Sequence, residues 1–297
     1  MPLIVGNTED LHVRAVVSAM SLEPVIVDAA TVLEEPVTIT SGGIEIGRVK
    51  AVPGPGWLRR LAPDGWLENL DAPGVEGVVR AAAVSALAAI ARDDRFKWLT
   101  ILDHLGGAEN KPYQYRLVAA AGVPVPEWIV TTDPDAVPDT GHWIAKALGP
   151  GSFIDGEGNG RIVPTRVVDV SDRDTVARVP FILQRMIHAR AHARVVTVGD
   201  QAFSATLPAT DLPLDWRMSP AGHFGFTPRP VPERIHLLAV AAATQARLGY
   251  SAQDWIEDTD GDWWFVDLNP AGQWLFLPNE VAAPVTEAIA RHLDGRR

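Results

Sequence analysis

The most constraining feature of the sequence is an acid at the end of a strongly apolar segment near the C-terminus. Asp267 directly follows Trp-Trp-Phe-Val at residues 263–266, and Asn269 lies two residues further on. Residues i and i+2 of a strand point to the same face, so this pattern predicts two oxygen-bearing side chains presented together. A second strand over 251–257 precedes an acidic turn, and the resulting hairpin brings Asp254 beside them.

These three side chains have the chemistry of a magnesium site. Carboxylate and amide oxygens bind Mg²⁺, and waters and phosphates complete the coordination shell. The alternative is a solvated acidic hairpin, and Asp258, Asp260 and Asp262 in the turn fit that alternative well. Asp267 does not fit this alternative because the strand that it ends is strongly apolar. The sequence therefore predicts that Asp267 is a metal ligand.

Composition narrows the classes of function. The 297 residues include 37 acidic and 26 basic side chains, a formal net charge of −11, and no cysteine. Nucleic-acid binding by bulk charge is excluded because it needs a basic face, and the lack of cysteine excludes disulfides, thiolate metal sites and a cysteine nucleophile. No positive charge precedes Arg14, and the apolar run 81–91 is shorter than the ~20 residues that span a membrane. We expect a cytoplasmic protein without membrane or nucleic-acid partners.

Hydrophobic periodicity and turn signals predict a mixed α/β chain of three units. These are an N-terminal α/β unit over 1–95, a central unit over 96–180 and a C-terminal unit over 181–297. The predicted strands cover residues 3–6, 24–28, 37–40, 44–49, 127–131, 142–147, 161–170, 181–187, 194–198, 201–207, 251–257 and 263–268. The predicted helices are one capped by Thr8, followed by 75–92, 110–121, 232–248 and 281–293.

A glycine-rich loop over 149–160 follows Lys146, which ends an apolar strand. The loop is not a Walker A motif because no Gly-Lys-Ser/Thr follows it. It is not a dinucleotide fingerprint either, because a Val-rich strand rather than a helix comes next. Its five glycines let backbone N–H groups approach a ligand closely. Lys111 opens a predicted helix, where its charge opposes the helix dipole, and this favours a phosphate partner.

The order of the remaining polar groups carries the functional information. Gln-Arg-Met-Ile at 184–187 closes an apolar strand, and Arg194 and Arg217 come before the acidic hairpin. His188 and His192 stand four residues apart, but a zinc site needs three or four ligands and no third one is near. The complete order resembles that of the ATP-grasp ligases: two lysines with a glycine loop, a hinge, arginines, then an acid followed by acid-x-Asn.

Within that superfamily, one segment is especially specific. Residues 267–274 (Asp-Leu-Asn-Pro-Ala-Gly-Gln-Trp) are similar to the acid-x-Asn-Pro-x-Gly-Gln-Trp signature of ligases that mature ribosomal peptides, the microviridin and graspetide type. Residues 110–114 and 214–217 match two further blocks of those enzymes. The resemblance extends over residues 96–278, and residues 1–95 match loosely as a pre-ATP-grasp domain, with 57–60 as the best local match.

The resemblance implies an ATP-grasp fold of the α/β (α+β) class, with an N-terminal pre-ATP-grasp α/β domain. It assigns Arg194 and Arg217 to the acyl phosphate and the tetrahedral oxyanion. It assigns Asp254, Asp267 and Asn269 to two Mg²⁺ ions. ATP binding is assigned to Lys111, Lys146, Gly151, Ser152, Gln184, Arg185, Met186 and Ile187.

The implied reaction activates a side-chain carboxylate as an acyl phosphate and forms an ester or amide ring in a precursor peptide that carries a leader. A homodimer is also implied. Two alternatives stay open: a ligase that joins amino acids or dipeptides, and a catalytically silent protein that only binds nucleotide or peptide. Arg185 stands where the family commonly has Glu, and His192 where it has Asp, and these departures keep the silent alternative open. Asp267 replaces the more usual Glu, a chemically mild change.

Overall fold

A computed structural model describes residues 1–61, 74–138, 140–148, 152–156, 159–168 and 179–296. The N-terminal part is a small α/β unit with two sheets. The parallel sheet has the order β2-β1-β6-β7, formed by Val25–Val27, Leu3–Val5, Pro55–Leu58 and Lys97–Trp98. The antiparallel sheet β3-β4-β5 is formed by Val37–Thr40, Gly43–Ile46 and Val49–Ala51. The helices are α1 (Leu11–Ala19), α2 (Ala29–Glu34) and α3 (Val75–Ile90).

Two local predictions in this unit are wrong. The N-cap of α1 is Asp10 rather than Thr8, because the Asp10 side chain accepts a hydrogen bond from the His12 amide. The predicted strand over 44–49 is two strands, since Gly47 has a φ of +62° and turns the chain between β4 and β5. A left-handed backbone is readily available to glycine and breaks a strand.

The central unit contains two helices, a four-stranded sheet and a separate hairpin. Helices α4 (Leu102–Glu109) and α5 (Lys111–Ala120) precede an antiparallel sheet of order β12-β9-β13-β8. Its strands are Arg166–Val168, Trp143–Ala147, Phe181–Arg185 and Trp128–Thr131. A hairpin of β10 (Ser152–Ile154) and β11 (Gly160–Ile162) stands apart from that sheet. The strand predicted over 161–170 is therefore divided between β11 and β12, with Pro164, which has no amide N–H to donate, in the gap.

The C-terminal unit is built on the antiparallel sheet β15-β14-β16-β17. Its strands are Gln201–Pro208, Ala189–Val198, Tyr250–Asp258 and Trp263–Asn269, and its helices are α6 (Pro220–Phe224), α7 (Glu233–Gln245) and α8 (Asn279–Leu293). Alternation along the strands gives the sheet two apolar faces. Val195, on one face, belongs to a core with α5 and α7 residues, whereas Val196 belongs to a core with α8 residues.

The N-terminal unit is fixed to the C-terminal sheet by a shared core. Ile4 of β1, Val13 of α1 and Trp57 of β6 belong to the same buried cluster as Val285 and Ile289 of α8. This packing sets the position of the N-terminal unit relative to the strands that carry the predicted metal ligands. Among the described residues, no helix is long and apolar enough to cross a membrane.

Candidate active site

A cleft of about 650 Å³ lies between the central sheet and the C-terminal sheet. It is lined by residues of β9 and β13 on one side and of β14, β16 and β17 on the other, with the start of α5 and the segment 214–217 at its ends. Of the predicted site residues, the cleft brings together Lys111, Lys146, Gln184, Arg185, Ile187, Arg217, Asp254 and Asp267. Groups from the central unit and from the C-terminal unit therefore meet in one place.

The two acids face each other across neighbouring strands. Asp254 of β16 lies directly opposite Asp267 of β17, next to a register shift in the pairing. Burial and the charge of Asp267 raise the pKa of Asp254, against the opposing effect of Arg194. Burial also disfavours the charged form of Asp267, but Lys111 and Lys146 outweigh it and lower the pKa of that carboxyl. A divalent cation would favour ionisation of both carboxylates in the same way.

Basic side chains already neutralise these acids. The Lys111 ammonium forms an ion pair with Asp267, and the Arg194 Nε lies 3.0 Å from Asp254 Oδ1. Lys111 reaches the cleft from the first turn of α5, where the Asn110 side chain caps the helix by accepting from the Tyr113 amide at 3.0 Å. The site is thus built for charge compensation, and the donor set of carboxylate oxygens suits Mg²⁺.

Lys146 supplies a further positive charge on β9. Burial in the cleft, together with the charge of Lys111, lowers the pKa of Lys146 to about 8. Asp267 and Asp254 act in the opposite direction but do not compensate fully. Lys146 is still mostly protonated at pH 7, and an anion such as a phosphate in the cleft would stabilise its charged form further.

Arg217 is held by an acid, Asp215, for which the sequence analysis predicts no role. The Asp215 carboxylate accepts from Nε of Arg217 at 2.8 Å and from its Nη2 at 2.7 Å, a bidentate pair. Asp215 also accepts from the Thr165 amide at 3.2 Å and caps the short turn over Trp216–Met218. Burial raises the pKa of Asp215, but the hydrogen bond and charge of Arg217 prevail and lower it. Asp215 belongs to the sequence block 214–217, and its position two residues before Arg217 is the only sequence signal for this ion pair.

The hinge prediction concerns residues 184–187. The Arg185 amide donates to Glu127 O at 2.8 Å, and the Met186 amide donates to His142 O at 2.8 Å. Within the described part of the chain, Ile187 N–H has no assigned partner. The Gln184 side chain is 1% exposed, and no described residue hydrogen-bonds its Nε2. Ile187 N–H is therefore an unpaired backbone donor among the described residues that line the cleft.

Five predicted residues are not part of the described cleft lining, and Met186 is one of them. Arg194 lies behind Asp254 with its guanidinium 5.6 Å from the Phe276 ring centroid. Asn269 is exposed at the end of β17, where its Oδ1 accepts from the Ala271 amide at 2.9 Å. Gly151 lies outside the described residues, and Ser152 is described as part of the β10 backbone only. No cluster of three His, Asp or Glu able to hold a metal occurs among the described residues.

The two departures from the family pattern take up different positions. Arg185 lies at the cleft, with its Nη1 3.8 Å from the Glu127 carboxylate. His192 also lines the cleft, and burial lowers its pKa to about 4, so the ring is neutral at pH 7. His192 belongs to β14 and His188 precedes that strand. His188 packs edge-on against His142 with ring centroids 5.7 Å apart.

Comparison with known proteins bears on the fold. No family model matches the sequence, and no curated protein matches it significantly. Among solved structures, a RiPP-associated ATP-grasp ligase of Chryseobacterium gregarium, in complex with ADP and a leader and core peptide, superposes with a TM-score of 0.84 at 19% identity, covering 98% of this chain and 96% of that one. The macrocyclase MdnC of Microcystis aeruginosa MRC, bound with its precursor peptide MdnA, gives 0.79 at 21% identity over 99% of both chains.

A third structure, the ATP-grasp ligase PsnB complexed with minimal precursor, Mg and ADP, gives a TM-score of 0.77 at 20% identity over 98% of both chains. These likenesses extend over nearly the complete length of each protein. The chain therefore has the ATP-grasp fold, and the fold class predicted from the sequence is confirmed.

Proposed function

We propose that this chain is an ATP-dependent ligase that activates a side-chain carboxylate of a ribosomally made precursor peptide and closes it into an ester or amide ring. The observation that carries the proposal is the pairing of Asp254 and Asp267 across β16 and β17 in a cleft that also holds Lys111, Lys146 and Arg217. The ATP-grasp neighbours bound to ADP, Mg and precursor peptides support the same assignment of substrates.

The proposed chemistry has two balanced steps. A carboxylate oxygen of the peptide attacks the γ-phosphorus of ATP, the bond to the bridging oxygen breaks, and ADP leaves. A hydroxyl or amine of the same peptide then attacks the acyl carbon, loses its proton and expels inorganic phosphate. Each ring closed consumes one ATP, and the carboxylate oxygen leaves in the phosphate. Phosphoryl transfer of this kind asks a protein mainly for positioning and charge neutralisation.

The residues of the cleft divide this work between them. Lys111 and Lys146 would bind the phosphates, and Arg217, oriented by Asp215, would stabilise the acyl phosphate. Arg194 would support the developing oxyanion from its place beside Asp254. Loss of one such donor typically reduces the rate by ~10²–10³.

Magnesium is the remaining component. Asp254, Asp267 and Asn269 would hold two Mg²⁺ ions, which when bound screen the charge of the transferring phosphoryl group. The carboxylates fit the ion because they are paired, oxygen-only donors in a cleft whose lysine and arginine partners can move onto phosphate. Gly151, Ser152 and Gln184 to Ile187 complete the proposed nucleotide site.

The proposal extends to the organisation and setting of the protein. The units 1–95, 96–180 and 181–297 would act as the pre-ATP-grasp, central and C-terminal ATP-grasp domains. A cytoplasmic location follows because newly made peptide and ATP meet there. With a net charge of −11, the enzyme would recognise its leader-bearing peptide through a local site rather than by overall attraction, and nucleic acid would not be a partner. Light scattering tests the homodimer.

The test of the function is mass spectrometry of candidate precursor peptides encoded in the neighbouring genes, incubated with enzyme, ATP and Mg²⁺. We expect the peptide to lose one water for each ring, with one ADP formed for each water lost. A chain in which Asp267 is replaced by asparagine is the control for contaminating activity. If free amino acids or dipeptides drive ADP release and become joined while the peptide does not, the small-molecule ligase is the correct function. If no acceptor yields ADP, the chain only binds its ligands.

A further inference from the structure

The N-terminal unit makes a buried polar contact with the turn that follows the predicted metal ligands. The Arg59 side chain, 3% exposed at the end of β6, donates from Nη1 to the Ala271 carbonyl. The same guanidinium donates from Nε to Asp10 Oδ2 at 3.1 Å and lies 5.8 Å from the Trp274 ring centroid.

His12 makes a second contact with the same turn. Its Nε2 accepts from the Trp274 amide at 3.3 Å, and the two rings pack edge-on with centroids 4.4 Å apart. Because Nε2 accepts, the other ring nitrogen carries the proton and donates to Asp10 Oδ1 at 3.1 Å. Burial and the charge of Arg59 lower the pKa of His12, which keeps the ring neutral and able to accept.

Asp10 completes the arrangement by holding both partners. It caps α1 and accepts from the His12 ring and from Arg59. Burial disfavours its charged form, but the hydrogen bond from His12 and the charge of Arg59 outweigh burial and lower its pKa. A buried ion pair of this kind is a weak source of stability and is best understood as fixing a geometry.

The geometry it fixes is that of Asn269. The Asn269 Oδ1 accepts from the Ala271 amide at 2.9 Å, so the residue whose carbonyl Arg59 holds also orients the Asn269 side chain. On the other side of the turn, the Tyr250 hydroxyl donates to the Gly272 carbonyl at 2.7 Å. The turn packs so closely against β16 that a Cβ added at Gly272 would lie 2.5 Å from the Cβ of Ala252.

We infer that Arg59, with Asp10 and His12, is a positioning residue for magnesium: it couples the N-terminal unit to the Asn269 turn and thereby sets the affinity of the metal site. The inference rests on the proposed function. None of the three side chains lines the cleft, so they act through the turn. Replacing the outer partners of metal ligands typically weakens metal affinity or activity 10–100-fold.

The test measures metal binding without turnover. Mg²⁺ is titrated by calorimetry into enzyme saturated with ADP, and ADP affinity is measured separately in a chelator. R59K keeps the charge beside Asp10 but lacks the fork that also reaches Ala271. H12F keeps an aromatic ring against Trp274 but removes the acceptor. L87A is the control, because Leu87 is fully buried in the separate core of the N-terminal unit and contacts neither the turn nor the cleft.

We expect R59K and H12F to raise the Kd for Mg²⁺ by about tenfold or more while the metal-free Kd for ADP stays unchanged. L87A should lower the melting temperature without changing either constant. The inference is overturned if R59K and H12F bind Mg²⁺ as the parent does, or if L87A weakens Mg²⁺ binding equally. If R59K does not fold, H12F decides by the same criterion. A parent protein that binds no ADP would instead refute the proposed function, which keeps the two failures separate.

Discussion

Replacing Lys146 with methionine should stabilise the protein and weaken nucleotide binding, two effects of opposite sign. Burial and the charge of Lys111 lower the pKa of Lys146 from 10.5 to about 8. Each pKa unit corresponds to ~1.4 kcal/mol, so the ammonium at pH 7 costs the folded protein about 3 kcal/mol. Water in the open cleft screens part of this electrostatic cost. We therefore expect the free energy of unfolding of K146M to exceed that of the parent by roughly 1–3 kcal/mol.

The pH dependence has a definite sign. The folded pKa lies below the unfolded one, so the unfolded chain binds more protons between pH 8 and 10.5. The stability of the parent should therefore rise with pH across that window, and the advantage of K146M should disappear there. For ATP, methionine removes a charge-assisted contact worth about 1.5–3 kcal/mol, which corresponds to roughly a 10–100-fold higher Kd.

The assay pairs urea unfolding of the nucleotide-free protein at pH 7 and pH 10.5 with calorimetry of ATP binding. K97M is the matched control, because Lys97 is exposed on β7 and away from the cleft. The reasoning is refuted if K146M lowers the free energy of unfolding at pH 7, or if it binds ATP with the affinity of the parent.

Three further predictions concern the cleft and the turn. D267N should reduce ADP formation by at least about 100-fold, since it removes one of the paired carboxylates, and an unchanged circular dichroism spectrum would show that the fold persists. Burial lowers the pKa of His192 from 6.5 to about 4, so the parent should lose stability relative to H192Q as the pH falls from 6.5 toward 4. We expect a difference of about 2 kcal/mol in the free energy of unfolding by urea near pH 4.5. Parallel plots of unfolding free energy against pH for the two proteins would contradict this. G272A should cost about 1–3 kcal/mol in urea unfolding because its Cβ would lie 2.5 Å from the Ala252 Cβ. G106A, whose Cβ meets nothing within 4 Å, should cost nothing, and equal losses would reject the steric argument.

The parts of the cleft that the sequence made visible are polar residues at the ends of apolar strands. The charges of Asp267 and Lys146 contrast with the mainly apolar residues before them, at 263–266 and 142–145. A hairpin is a local structure, so it places Asp254 opposite Asp267 without any long-range information. Local signals also predicted the helices α3, α5, α7 and α8 to within a few residues, because helix stop signals act over short distances. They missed α2, α4, β6, β7, β10 and the first five residues of β14.

The remaining features depend on contacts between distant segments. Arg59 and His12, both held by Asp10, contact the turn at 271–274 only when the N-terminal unit packs against the C-terminal sheet. No pattern of residue spacing in the sequence predicts that contact. The same network makes Asp10 rather than Thr8 the cap of α1. Asp215 is likewise recognisable as the partner of Arg217 only once Thr165 is beside it.

Transfer of an isotopic label tests the central claim most directly, because the account requires a carboxylate oxygen of the peptide to end in phosphate. The precursor peptide is prepared with ¹⁸O in its side-chain carboxylates and incubated with enzyme, ATP and Mg²⁺, and the inorganic phosphate is analysed by mass spectrometry. We predict one ¹⁸O atom in phosphate for each ring closed, with ADP as the nucleotide product. Unlabelled phosphate accompanying ring closure, or label appearing in AMP, would contradict activation as an acyl phosphate.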